Sequence, residues 1–383
     1  MSGVVCHVTT AHPAFDTRIF RRECRSLAAA GYTVHLVAPH DREETVDGVH
    51  ILPLPPAPSG LPRRAVWPIL ALRRARATRA DLYHFHDPEL IPAMRLLGRW
   101  TRRPVVWDVH EVYTETIAHF NQLGWRPASR LGARVFDRYE LRAARRSFAG
   151  VVTVTEMMAE RYRRAGVLTA AVGNLVEADV LEPRAPLPPR AEPPLLVTSG
   201  LLNPDRGILL MVDAFARVRR QRACRLAFWG HFPREEDERR LRARVGALGL
   251  QADVFIGGPY PRGELLDALL PTATAGCVLL MEPSAYNVIG VPNRLTEYWA
   301  RGLPVLTSRG THAADMTVEA GAGLAVENTV EALAEGFGRI LDDPAAARAM
   351  GERGRRAVAE RYNWRHAFAN LLELYRRILP PAA

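Results

Sequence analysis

Residues 282–308 read EPSAYNVIGVPNRLTEYWARGLPVLTS. An apolar run at 276–280 precedes them and reads as a buried strand. A loop with Gly290 and Pro292 follows, then a helix opens near Asn293, stops at Gly302 and gives way to a second strand at 304–307. Strand, loop, helix and strand in that order are the grammar of a parallel sheet with crossover helices. The helix begins at the carboxyl end of a strand, where unpaired N–H groups and the positive end of the helix dipole suit an anion such as a diphosphate. Arg294 lies in the first turn, where a positive charge opposes the dipole, and a bound anion would explain it. Glu297 lies one turn further on the same face, and a carboxylate can accept hydrogen bonds from ribose hydroxyls. Without that ligand the two are an ordinary helix-surface pair.

The same grammar extends in both directions. Strand-like runs occur at 4–8, 32–37, 49–52, 82–85, 105–108 and 151–155, and again at 195–199, 226–229, 254–257, 276–280 and 304–307. Helical patterns at 18–30, 128–147, 208–221, 235–247 and 295–301 lie between them. The clearest break is LEPRAPLPPRAEPP at 181–194, with six prolines and no periodicity. The expected architecture is α/β: two Rossmann-like, doubly wound domains facing across a cleft, with the ligand between the carboxyl ends of their sheets. The expected boundaries are residues 1–182, a linker at 183–194, and 195–363. A last helix, 364–380, carries an apolar stripe of Phe368, Leu371, Leu372, Leu374 and Ile378 that must bury against one domain or the other.

The 383 residues include 29 prolines and 28 glycines without a repeating period, too apolar at 48% for disorder. The chain carries 51 basic residues, all arginine, against 41 acidic ones, for a net charge of +10. Residues 1–190 hold 27 arginines against 19 acids, so most of the excess lies there. Four scattered cysteines have neither disulfide nor metal spacing, which suits a reducing cytoplasm. No apolar run is long enough to span a bilayer, and the start MSGVVCHVTT lacks the pattern of a secretory leader.

Further candidates follow other strands. In SGLLNPDRG (199–207) Arg206 precedes Gly207 at a strand-to-helix turn, a second phosphate-type site. Asn203 or Asp205 could equally be helix caps there. His110, in DVHE after the strand at 105–108, would project from the sheet and could donate to a substrate hydroxyl. His84 and His86 carry the same ambiguity, and nothing in the sequence completes a metal site with them. Asp16 and Arg18 could face the cleft, or Asp16 could cap the helix that follows. The chain lacks Gly-x-Gly-x-x-Gly, a Gly-Lys-Ser/Thr phosphate loop, a Gly-x-Ser-x-Gly elbow and an Asp-x-Asp pair, which disfavours metal dependence.

Together HVTTAHPAFDTRIFRRECRSLAAAGYTVHLVAPH (7–40), FHDPELIP, VVWDVHE, GVVTVTEMMAERY and VPNRLTEYWARGLPVLTS resemble, in this order, glycosyltransferase family four. The resemblance implies a GT-B fold and retaining, metal-independent, hexosyltransferase-type transfer from a nucleotide sugar to an acceptor hydroxyl, with no cofactor. UDP-sugar is the favoured donor and GDP-sugar the second. It implies that the second domain holds the donor, the first the acceptor, and that the last helix crosses back to the first domain. Position by position it implies that Glu297 binds the ribose, that Arg206 binds the diphosphate and that His110 lies near the donor sugar. The loop 257–260, with Gly258 and Tyr260, would hold the base. Gly200 and Asn203 would complete the nucleotide site with Asn293, and Asn287, Ile289, Gly290 and Val291 would meet the sugar. Asp16, Arg18 and His86 would lie on the acceptor side.

Two positions depart from the common family pattern. Leu201 stands where many members have a basic residue, and Ile289 where many have a glutamate; Arg294 would restore the lost charge. The acceptor expected from the resemblance is a small molecule, a glycan or a lipid carrier, as in carbohydrate or natural-product biosynthesis. The alternating arginines and apolar residues of Arg63–Arg79 suit peripheral contact with the inner face of a membrane, and otherwise form a solvated helix face. No aromatic platform accompanies them, which argues against nucleic acid. The alternatives are a nucleotide-sugar 2-epimerase or a phosphorylase on the same fold, or a non-catalytic anion or membrane binder.

Overall fold

The computed structural model describes residues 3–54, 63–114, 117, 126–182, 186–281 and 290–379. The chain forms two compact units: residues 1–174 with 364–383, and residues 175–363.

The first unit is built on strands β1 (Val4–Val8), β2 (Thr33–Pro39), β3 (Glu44–Val46), β4 (Val49–Leu54), β5 (Leu82–Phe85), β6 (Val105–Val109), β7 (Gly150–Thr153) and β8 (Thr169–Ala171). Their order is β3-β4-β2-β1-β5-β6-β7-β8, parallel except for β3 against β4. β5, β6 and β7 are buried along their whole length, as expected of parallel strands covered on both faces. The chain order reverses between the neighbours β1 and β5, so their carboxyl ends flank a topological switch point.

The segment after β1 is π-helical over Thr17–Cys24 and continues as α1 (Arg25–Ala29). It is followed by α2 (Arg63–Ala77), α3 (Ile91–Thr101), α4 (Arg126–Ser147) and α5 (Glu156–Arg164). β3 and β8 were absent from the sequence reading because each is three residues long and lies at a sheet edge, below the length at which periodicity registers.

The second unit carries β9 (Leu195–Leu201), β10 (Arg225–His231), β11 (Val254–Gly257), β12 (Ala275–Val278), β13 (Val305–Ser308) and β14 (Gly323–Val326), all parallel, in the order β11-β10-β9-β12-β13-β14. Here the switch point lies between β9 and β12. Its helices are α6 (Ile208–Arg219), α7 (Glu235–Ala247), α8 (Asn293–Ala300), α9 (His312–Glu319), α10 (Val330–Asp342) and α11 (Pro344–Glu360). One apolar core packs α6 and α10 on one face of this sheet; a second, with Leu295, Tyr298 and Trp299 of α8, covers the other.

The division falls at Asn174/Leu175, ahead of the proline-rich segment expected as the linker. Residues 186–194 instead adhere to the second unit, where Arg190 donates to the carbonyls of Ala273 and Gly302 and Ala191 N to Thr272 O. The final helix, α12 (Trp364–Ile378), belongs to the first unit. Its buried face is Trp364, Ala367, Leu371, Leu374 and Tyr375; full burial of each leucine contributes on the order of 2 kcal/mol. Trp364 Nε1 donates to Ser26 Oγ (2.8 Å) and Asn370 Nδ2 to Ala171 O (2.9 Å), so the helix is fastened along its length.

Candidate active site

In the second unit, pairing between β9 and β12 ends at Gly276↔Val197. Ser199, just beyond, donates its N–H to Tyr298 Oη (2.7 Å), and its hydroxyl lies 2.9 Å from the same oxygen. The ring of Tyr298 fits against β12 only because residue 276 is glycine: a Cβ there would lie 2.2 Å from Tyr298 Cδ2.

Arg294 lies one turn earlier on α8 and folds inward. Its Nη1 donates to Ser199 O (3.0 Å) and its Nη2 to Leu279 O (3.5 Å), spanning the carboxyl ends of the two strands at the switch point. It is 7% exposed, its Nε has no hydrogen-bond partner, and among the described residues no carboxylate lies within ion-pair distance of it. Burial brings the guanidinium down to about 10, opposed by the charge of Tyr298 and reinforced more weakly by that of Arg206.

Arg206 closes the short turn Pro204–Arg206. Asn203 is its cap: Oδ1 accepts from Arg206 N at 3.1 Å, so the side chain expected to bind nucleotide is spent on the loop. Gly207 (φ +70°) passes the chain into α6 against Leu279, and Gly200 (φ +90°) turns it at the end of β9. Both need the left-handed backbone that glycine adopts without strain.

Glu297 is nearly buried, and its Oε1 accepts from Arg262 Nε (3.1 Å), whose Nη2 donates to Glu177 Oε2 (2.7 Å). Arg262 and Glu177 were not singled out from the sequence. The one available signal was that Arg262 follows the 257–260 loop by two residues. Gly258 and Tyr260 lie in that loop at the end of β11, with Tyr260 Oη close against Gly257. Asn293 opens α8 behind Pro292, and Gly290 and Val291 lead into it; Asn287 and Ile289 lie outside the described residues.

In the first unit the histidines assemble around a different switch point. His7 on β1 and His84 on β5 are partners in register, and His86 and His110 follow β5 and β6. His7 Nδ1 lies 3.0 Å from His86 Nε2, His86 Nδ1 lies 3.1 Å from His110 Nε2, and both of the latter nitrogens approach Asp108 Oδ2, at 3.3 and 3.2 Å. Arg18 grips Asp108 through Nε (2.9 Å) and Nη2 (3.0 Å) and gives its Nη1 to Val172 O.

Three acceptor-side expectations change here. Arg18 is buried and committed to Asp108, and His86 is wholly buried, because both complete the interior of the sheet. Asp16 caps the π-helical segment, accepting from Arg18 N (2.8 Å) and Ile19 N (2.9 Å). Of the four histidines His110 alone retains some exposure, 13% of its side chain.

Burial depresses His7 and His84 well below the usual imidazole range and brings His86 to about 4, so all three are neutral near pH 7. Burial pushes Asp108 up, but Arg18, His110 and His86 outweigh it and hold the carboxylate ionised. Glu23 moves the other way: burial and the charge of Asp108 raise it well above the carboxylate range. Glu23, His84, His86 and Asp108 bring ligand-type atoms within 4.8 Å of one another, a grouping that sequence spacing did not reveal. Arg18 Nε, 3.1 Å from Glu23 Oε1 and 2.9 Å from Asp108 Oδ2, already supplies the positive charge between the carboxylates.

Known families match both units. Residues 17–172 fit the model of the glycosyl transferase 4-like domain and residues 180–357 that of glycosyl transferases group 1. The chain is a glycosyltransferase. With its two predominantly parallel, doubly wound units it has the GT-B fold.

The glycosyltransferase is 27% identical over 182 residues to an MMP alpha-(1->4)-mannosyltransferase of Mycolicibacterium hassiacum, covering 47% of this chain and 42% of that protein. It is 28% identical to a GDP-mannose-dependent alpha-(1-6)-phosphatidylinositol monomannoside mannosyltransferase of Mycolicibacterium smegmatis, over 76% of each chain. The match thus spans less than half of the first relative. Among solved structures it resembles the Anabaena protein HepE in complex with UDP, with TM-score 0.72 and 13% identity over 98% of this chain and 100% of that one.

Proposed function

We propose that this glycosyltransferase belongs to family four and moves a hexose from a nucleoside diphosphate sugar to an acceptor hydroxyl with retention and without a metal. The observation that carries this is Arg294: a buried cation with no carboxylate within ion-pair distance among the described residues, at the start of α8 and within electrostatic reach of Arg206. An uncompensated buried charge is costly, and a diphosphate at the helix start would compensate it.

In this reading the second unit binds the donor and the first the acceptor. Arg206, Arg294 and the α8 N–H groups stabilise the departing diphosphate. Charge-assisted contacts of this kind contribute about 2–4 kcal/mol each to a transition state. The acceptor oxygen forms its bond to the anomeric carbon on the face that the diphosphate oxygen leaves, and its proton passes to the diphosphate. Glu297 accepts ribose hydroxyls beside Arg262, the 257–260 loop holds the base, and His110 serves the sugar.

Thermal stabilisation by UDP, GDP, ADP and TDP tests the donor site, because a ligand of the native state raises its apparent stability. UDP is the nucleotide favoured by the resemblance to family four, and GDP draws support from the relative named as GDP-mannose-dependent. No stabilisation by any of them would overturn the reading. Turnover of donor without acceptor would replace transfer by 2-epimerisation.

A second proposal concerns location: the enzyme works in the cytoplasm and touches a membrane through α2. Among the described residues no helix is long and apolar enough to cross a membrane. Between α2 and α3, however, lies a cavity of about 900 Å³ lined by Arg73, Arg76, Arg79, Ile69, Leu96 and Trp100. Ile69 and Trp100 are 57% and 55% exposed, and Arg76 stacks on Trp100 at 5.5 Å. Exposed apolar side chains beside arginines suit anionic lipid and a lipid-linked acceptor.

A further inference from the structure

The proton positions in the histidine cluster follow from its contacts. Asp108 is ionised and can only accept, so the two imidazole nitrogens facing its Oδ2, His86 Nδ1 and His110 Nε2, each direct a hydrogen at that oxygen, and their mutual approach of 3.1 Å is then a contact between two donors and not a hydrogen bond. Neutral His86 then has a lone pair on Nε2, which accepts from His7 Nδ1–H at 3.0 Å. His7 is left with a lone pair on Nε2, 3.3 Å from Tyr375 Oη, so the tyrosine donates there. Tyr375 Oη in turn accepts from His84 Nδ1–H at 2.8 Å. His84 Nε2, wholly buried and without a hydrogen-bond partner, ends the chain as a lone pair.

The reverse assignment would face a lone pair of His86 toward the carboxylate and leave an N–H of His84 unsatisfied in the interior. Orphaned buried N–H groups are rarer in folded proteins than orphaned acceptors.

We propose that Asp108 is a positioning residue that holds His110 as the Nε2–H tautomer and so offers Nδ1 as a hydrogen-bond acceptor, and that Tyr375 on α12 anchors the far end of the chain that keeps it so. That His110 meets a substrate hydroxyl through Nδ1 rests on the proposed function. The proton assignment rests on the contacts alone. It also gives the last helix a role beyond packing: the chain's final segment fixes protons at the carboxyl end of β6.

Nitrogen-15 NMR of histidine-labelled full-length protein at pH 7.5 tests this. The expected spectrum has His110 protonated on Nε2, His86 and His7 on Nδ1, and His84 bare at Nε2. Tyr375→Phe should move His7 and His86 toward their other tautomers and lower kcat roughly fivefold, the loss of one hydrogen bond, with donor KM unchanged. Trp364→Phe, which breaks the contact of α12 with Ser26, should leave both the tautomers and kcat as they are. A proton on His110 Nδ1 in the wild type overturns the proposal, as do unmoved tautomers in Tyr375→Phe. Full turnover in His110→Asn with the predicted spectrum intact would instead remove His110 from the reaction.

Discussion

Arg294 Nη1 stands 3.0 Å from Ser199 O, a full positive charge whose hydrogen-bond acceptors among the described residues are backbone carbonyls. With burial holding the guanidinium at about 10, its charge costs the ligand-free fold about 3 kcal/mol relative to a solvated arginine. Arg294→Met, which keeps length and removes charge, should therefore leave the ligand-free Tm within a few degrees of wild type. It should weaken nucleotide binding at least tenfold. Differential scanning fluorimetry with and without nucleotide reads both. Undiminished stabilisation by nucleotide would take the anion away from α8.

Arg206 and Glu297 should separate kinetically. In the proposed function Arg206 bears on charge that develops as the diphosphate departs, so Arg206→Ala should lower kcat about 100-fold with a modest change in donor KM. In the same proposal Glu297 contacts a ribose alike in ground and transition states, so Glu297→Ala should raise donor KM about tenfold or more with kcat nearly kept. Steady-state rates over a donor series distinguish the two patterns.

Tyr298 supports this site from below. Tyr298→Phe leaves the buried N–H of Ser199 without its acceptor and should cost about 1–3 kcal/mol. Gly276→Ala should cost more, because its Cβ would overlap the ring and force α8 away from β12. Urea denaturation gives both values, and a neutral Gly276→Ala would mean that α8 can slide.

The fold was legible because buried parallel strands write themselves as apolar runs: 4–8 and 82–85 match the observed bounds residue for residue, as does the half-exposed edge strand 254–257. The edges β3 and β8 did not register, since three-residue strands carry too little pattern; the four-residue edge β14 was missed as well, although β11, an edge strand of the same length, was found. Site residues were legible one position at a time, while their pairings were not. Arg294 stood out because its charge contradicts the helix dipole. Its inward turn toward Ser199 and Leu279 depends on strands 95 and 15 residues away. Arg18 and Asp108 lie 90 residues apart, and no local pattern joins them. Long-range electrostatics turned one expected acceptor contact, Arg18, into half of an interior ion pair.

The α2–α3 cavity predicts a salt-sensitive association. The enzyme should float with vesicles containing phosphatidylglycerol, less with neutral phosphatidylcholine, and less again in 0.5 M salt, where the Debye length falls to roughly 4 Å. Trp100→Ala and Arg76→Glu should each reduce flotation, the first by removing the interfacial ring and the second by reversing a charge. Equal flotation with neutral vesicles would leave no role for the arginines.

Glu23 supplies a pH signature of the buried cluster. Its carboxyl is wholly buried, Arg18 Nε lies 3.1 Å from Oε1, and burial together with Asp108 outweighs that cation and raises its pKa well above the ordinary carboxylate value. The folded state therefore keeps a proton that the unfolded chain releases above about pH 4.5. The stability linked to that proton is fully present below this pH and is lost as pH rises toward the folded value, by up to about 1.4 kcal/mol per pH unit. The histidines act in the opposite window. His7, His84 and His86 are neutral when folded, so stability falls as pH drops from about 6.5 toward the value of about 4 held by His86. Glu23→Gln removes the first effect and leaves the second. Its stability relative to wild type, from urea midpoints, should rise between pH 5 and pH 8, while both proteins should weaken together below pH 6. A difference that stays flat across that range would mean that Glu23 is ionised beside Arg18 and that the cluster carries one more negative charge than its contacts imply.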